Sequence, residues 1–200
     1  FAKDEDNVNN MIESSSWMRK LRMEELFIKQ KQLNAKQAAA ILRDKLGYGN
    51  KFIGYANEKS VNQLIAHHAV IFRPGTQQAW VSSQPYQSGT MVAYDLEVAF
   101  KNSVIGFNED IKDSEAHIPA EDFIYTAAFK KFQLFRKYRS YFALLEKHHG
   151  IKPSFNAVEN FISTNPDSYI TYWDLGKYFS STGDKAQAKK YLAMALTKDI

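Results

Sequence analysis

No cysteine occurs in the 200 residues, and that absence removes more chemistry than any other feature of the chain. Without thiols these residues hold no disulfide, no thiolate zinc site and no sulfur nucleophile. Long apolar runs are missing too. No window of 18 apolar residues exists, so no helical membrane span is expected. A Gly-rich phosphate-cradling loop and a metal-ligand motif are also lacking, and neither a cofactor nor a metal is assigned. Phe1 is not an initiating methionine and no signal-peptide pattern follows it, which reads as a chain whose start lies upstream.

What is present is core material. The chain is 44% hydrophobic and 14% aromatic, enough for one large or two small packed domains and too much for a disordered tail. The formal charge of +4 is modest, with basic residues scattered among acidic ones. One basic run stands out, Lys130–Lys131 with Arg136, Lys137 and Arg139, interleaved with Phe129, Phe132, Phe135 and Tyr138. It reads as the solvated face of a helix whose other face is aromatic. No nucleic-acid recognition motif accompanies it, so nucleic acid is not an expected partner.

The local patterns change character along the chain. Residues 1–10 are polar and read as a loop. Ser14–Ser16 can cap a helix carrying Trp17, Leu21 and Ile28, and Asn34 with Gln37 forms a capping box for a second helix. From there the period becomes that of strands. Leu64–Phe72, Ala79–Ser82 and Thr90–Leu96 are strand candidates, the first two joined by turn chemistry at Arg73–Thr76. Three strands make a thin sheet that calls for further partners. Residues 101–118 read as a linker, and from Pro119 onward all signals are helical. Helices are expected over Ala120–His148, Phe155–Ser163, Ser168–Ser181 and Lys185–Lys198. The organisation is therefore α+β over 1–100, a linker over 101–118 and an all-α module over 119–200.

Within the helical module, Tyr172, Leu175-Gly176 and Phe179, then Ala188, Leu192 and Ala195, resemble a tetratricopeptide repeat. The small residues Gly176 and Ala188 let two helices approach, and the aromatics fill the wedge beside them. The preceding pair matches less well, with Phe142 where glycine and Phe161 where alanine would be expected. A single hairpin of this type cannot bury its apolar face alone, so it requires either further repeats or docking on the neighbouring domain.

Ser16-Trp17-Met18-Arg19-Lys20-Leu21-Arg22-Met23-Glu24-Glu25-Leu26 resembles a segment of the acyl-CoA:6-aminopenicillanic acid (isopenicillin-N) acyltransferase family of N-terminal-nucleophile hydrolases. Ile41-Leu42-Arg43-Asp44, then Ala69-Val70-Ile71-Phe72 with Ala79-Trp80-Val81, and finally Tyr94-Asp95-Leu96 follow in the family's order. The resemblance covers about Ser14 to Leu96. It implies part of a four-layer αββα fold: two outer helices and some antiparallel strands. It also implies amide-bond hydrolysis or acyl transfer by a self-exposed cysteine whose own α-amine acts as base. With no cysteine here, the nucleophile is expected on a cysteine-bearing N-terminal portion of the same precursor, and no catalytic residue is assigned in this chain. Gln63 stands about where the penicillin-pathway enzyme has an arginine, which argues against penicillin-type substrates.

Three residues are candidates for substrate contact. His67 and His68 lie on the first strand candidate, where neighbours face opposite sides and one imidazole can face a pocket. A core or interface histidine is the competing reading. Arg19 shares a helical face with Arg22 and Glu25; salt-bridged anchoring competes with recognition of an acidic substrate. Asp44 and Asp95 read as structural. Two functions remain: a subunit or part of such an amidohydrolase or acyltransferase, or a non-catalytic helical-repeat scaffold for a peptide or protein partner.

Overall fold

The computed structural model describes residues 5–12, 14–28, 32–101, 111–148 and 151–198. Half of the 101–118 linker, residues 102–110, and the first four residues lie outside them. The described part is an α+β arrangement with a small antiparallel sheet among helices. It opens with α1 (Glu5–Ile12), where a polar loop is expected from sequence; the asparagines there are tolerated in a helix of two turns. Next comes α2 (Ser15–Ile28), whose first turn is capped as expected: Trp17 N–H donates to Ser14 Oγ at 3.2 Å. In α3 (Ala35–Leu42) the capping box is complete, Gln37 N–H to Asn34 Oδ1 and Asn34 N–H to Gln37 Oε1, each at 2.9 Å.

The sheet is β1 (Val70–Arg73), β2 (Gln78–Ser82) and β3 (Met91–Asp95), in that spatial order. The first strand is shorter than its candidate; residues 64–69, including both histidines, run in irregular backbone. Beyond β3 the chain turns into α4 (Leu96–Lys101), with Asp95 Oδ1 accepting from Glu97 and Val98 N–H. Asp95 thus has a structural role, and the structure shows it to be a helix cap. The free edge of β3 is paired by residues 111–118, through reciprocal Met91–Ile118 backbone bonds of 2.9 and 3.0 Å and a 3.0 Å bond from Asp113 to Ala93.

The helical part holds α5 (Ala127–Lys147), α6 (Ala157–Thr164), α7 (Tyr169–Ser181) and α8 (Lys185–Lys198). Phe129, Phe132, Phe135, Phe142 and Leu145 form the buried stripe of α5. The last two helices form a close antiparallel hairpin in which Gly176 abuts Leu192; a Cβ at 176 would come within 2.6 Å of that side chain. The preceding pair is spaced differently. Phe142 and Phe161 stack face to face at 5.2 Å, so rings hold α5 and α6 apart where small residues close the α7–α8 pair.

The first hundred residues feed the same core. Leu64 is fully buried in the helical cluster, and Tyr86 packs edge-on to Phe132 at 6.0 Å. Both adopt left-handed backbone, φ 53° and 54°, a conformation that side chains this large rarely accept. Tyr55 contacts Phe123 and Phe132. Around it, Asn165 grips the Tyr55 backbone twice, accepting from its N–H at 3.1 Å and donating to its carbonyl at 2.8 Å. The α7–α8 hairpin thus docks on the neighbouring part of the chain, and the sheet has its own smaller cluster of Ala39, Ala69, Trp80, Met91, Ala93 and Ile118.

Burial in these cores has an alkaline signature. It pushes the phenols of Tyr55, Tyr172, Tyr178 and Tyr191 above their ordinary 10.0. Above that value the unfolded chain releases those protons while the folded chain keeps them, so raising pH drives unfolding. Lys45 acts with the opposite sign, because burial lowers it below 10.5 and the folded form there binds fewer protons. Burial lowers the Arg43 guanidinium in the same sense, but its ordinary value lies above this range, so the four phenols set the expected sign. We expect the urea midpoint to fall steadily as pH rises from about 10 to about 11.5; a flat or rising midpoint would contradict this accounting.

Candidate functional site

Residues opposite each other in the ladder share a face of the sheet. Ile71, Trp80 and Ala93 are in register and face α3, packing with Ala39, Ala35 and Leu42. Trp80 Nε1–H donates to the Ala116 carbonyl at 2.8 Å on that side. The other face carries Val70, Val81 and Val92 in one row, then Phe72, Ala79 and Tyr94 in the next. All six are apolar or aromatic, yet only Ala79 is buried; Phe72 is 67% exposed. Among the described residues no strand pairs with the outer edge of β1. Among the described residues this face is only partly covered, most open at Val70 and Phe72, and the outer edge of β1 is unpaired.

The irregular stretch that follows α3 is anchored by a polar hub. The Arg22 guanidinium, 1% exposed, makes a fork to both Asp44 oxygens at 2.8 and 2.9 Å. It also donates to Glu25 at 2.8 Å and to Asn50 at 2.9 Å. The hydrogen bonds to Asp44 keep it more basic than usual against the opposing effect of burial, and Glu25 adds to them. Nearby, Lys45 donates to both Glu121 oxygens at 2.5 and 2.6 Å and lies 4.4 Å over the Phe123 ring. Arg43 donates to the carbonyls of Gln87, Gly89 and Pro119. These cations tie α2 and α3 to the loops around them.

Arg19 has a comparable anchoring role: it donates to the Glu58 carbonyl and to Ser16 Oγ. The carboxylate partner on its helix face belongs to Arg22 instead. His67 and His68 are both exposed and precede the strand, so strand alternation does not sort them. Of these three candidates, His67 reaches a cavity. It lines a hollow of about 260 Å³ with Ile65, Ala66, Gln84, Pro85, Tyr86 and Arg136. A second hollow of about 420 Å³ adjoins it, bounded by Tyr86, Gln133, Arg136, Lys137 and Ser140. Tyr86 and Arg136 are common to both, so the two make one groove.

Comparison with known proteins leaves the chain alone: no family model, no curated protein and no solved structure matches it. The acyltransferase resemblance therefore rests on the residues that carry it. Among the described residues, no helix is long and apolar enough to cross a membrane, and no three His, Asp or Glu side chains converge as a metal site. The groove was not legible in sequence, because it joins segments near 66, 85 and 136. The basic run on α5 and the candidate His67 were its visible signals.

Proposed function

We propose that this chain is the nucleophile-lacking part of a cysteine N-terminal-nucleophile amidohydrolase or acyltransferase, extended by a tetratricopeptide-like helical module. The observation that supports this reading is the sheet's apolar second face, only partly covered by the described residues. An αββα arrangement buries one face of each sheet under helices and the other against a second sheet. Here α3 covers one face, and Val70, Phe72, Val81, Val92 and Tyr94 stand ready on the other. The open edge of β1 extends the same argument, since an exposed edge with large apolar side chains is a pairing hazard unless something covers it.

In this reading the chain supplies two outer helices and late strands, and the reacting thiolate comes from the cysteine-bearing portion of the precursor. There the α-amine takes the thiol proton, the thiolate attacks the amide carbonyl, the C–N bond breaks as that proton passes to the leaving amine, and water or another amine then takes the acyl group from the thioester. His67 is the residue of this chain placed to contact substrate. His68 and Arg19 hold weaker positions, one in solvent and one bonded to Glu58 and Ser16.

The alternative, a scaffold without chemistry, draws on a different surface. Trp173 is 48% and Leu196 79% exposed, and with Tyr169, Leu192 and Ala195 they line an apolar hollow of about 480 Å³ on the α7–α8 hairpin. Intact mass spectrometry of the protein purified from its source separates the two. A tightly associated companion polypeptide beginning with cysteine is the expected result. A stable, monodisperse 23.0-kDa monomer would overturn the enzyme reading and favour the scaffold.

A further inference from the structure

The groove beside α5 carries a charge pattern that neither reading uses. Gln133, Arg136, Lys137 and Ser140 fall at helical spacing on one stripe of α5, away from its buried phenylalanines. The other basic member of that stretch, Arg139, is committed elsewhere: it bonds Asp174 at 2.7 Å, and Lys177 completes that cluster. Arg136 has a different setting. Among the described residues no carboxylate lies within 4 Å of Arg136 or Lys137, and no carboxylate lines either hollow. The partner Arg136 does have is neutral, the Tyr86 hydroxyl, with the guanidinium carbon 5.4 Å from the ring centre.

That contact leaves the chemistry of an anion site. The Tyr86 oxygen accepts from Arg136, so its own O–H remains free to donate. The rest of the guanidinium fork is open, and it matches the paired oxygens of a carboxylate or phosphate. The Lys137 ammonium stands one residue on, and the Gln84 and Gln133 carboxamides supply neutral donors around the rim. The wall contributed by Ile65, Ala66 and Pro85 is different in kind, apolar and open to solvent. Together the two hollows offer a cationic end and an apolar shelf.

We propose that this groove binds a small organic oxyanion, its head on Arg136, Lys137 and Tyr86 and its apolar body along Ile65 and Pro85. The groove is the one His67 lines, but the proposal does not rest on the acyl-transfer reading, since it needs no nucleophile and no companion chain. Carboxylates and phosphate monoesters share the required head group. Calorimetric titration of the full chain with benzoate, phenyl phosphate, inorganic phosphate and benzyl alcohol tests it and tells the two sources apart.

Saturable binding of benzoate or phenyl phosphate is expected, at least about tenfold tighter than benzyl alcohol, with inorganic phosphate weaker than its phenyl ester. R136Q should weaken the organic anion about tenfold or more, whereas K130Q, on the same helix but outside both hollows, should leave it unchanged. Added sodium chloride should also weaken binding. If R136Q lowers the unfolding midpoint, K137Q and the salt dependence of the wild-type protein take its place as the deciding measurements. The proposal is overturned if neither organic anion saturates, if benzyl alcohol binds equally well, or if affinity is insensitive to both substitutions and salt.

Discussion

Replacing Arg22 with alanine should cost this protein about 3–5 kcal/mol, enough to unfold a domain of ordinary stability. The size follows from what stays behind. Arg22 is a buried side chain with four hydrogen bonds on three partners, and two of those partners are carboxylates. Asp44 and Glu25 are themselves only 14% and 21% exposed, so removing the cation strands two negative charges with little water to take its place. The loop then loses its frame as well, because Glu25 also accepts from the Gly49 N–H and Asn50 is held by Arg22 itself. Arg22→Lys separates charge from geometry. It keeps the cation but not the planar fork to Asp44, and should recover only part of the loss. Urea unfolding of the three proteins measures both effects. A loss below about 1 kcal/mol for R22A would place this pair with the weak surface ion pairs instead.

That hub also marks where sequence reasoning stops. Arg22 and Glu25 are three apart on a helix, and their pairing could be expected from spacing alone. Asp44 is 22 residues away, and nothing in a one-dimensional pattern links it to Arg22 rather than to Arg19 or Arg43. The same distinction runs through the fold. The Asn34–Gln37 capping box and the α7–α8 helices were legible because each depends on residues within a turn or two. The pairing of 111–118 with β3 was not, since backbone hydrogen bonds there leave no side-chain period. The irregular path of 64–69 hid for a related reason: Leu64, Ile65, Ala69 and Val70 look like strand residues. Leu64 is instead committed to the helical core from a left-handed turn, and tertiary packing overrides its propensity. The groove needs three such long-range placements at once, so only its basic residues and His67 were visible beforehand, and not their meeting.

Gly54→Ala should be comparably damaging, and for a reason confined to backbone. Gly54 has φ 78°, a region where a side chain costs about 1 kcal/mol by itself. The decisive term is space. A Cβ at this position would sit 2.5 Å from the Ser168 nitrogen and 2.6 Å from its Cα, and main-chain atoms cannot swing aside as a side-chain tip can. Relief requires moving the segment at 54 away from the start of α7. That motion pulls on the Asn165 clamp at Tyr55, on the Tyr169–Glu58 hydrogen bond and on the ring contacts of Tyr55. Overpacking of about 1–3 kcal/mol added to the backbone cost gives a loss of about 2–4 kcal/mol, with weaker protection of the helical hairpin in hydrogen exchange. Gly49→Ala is the matched control: its φ of 73° is nearly the same, but nothing lies within 4 Å of the added carbon. It should lose only about 1 kcal/mol. Equal losses at the two sites would mean that conformation alone matters, and that the first hundred residues do not bear on the helical module through Gly54.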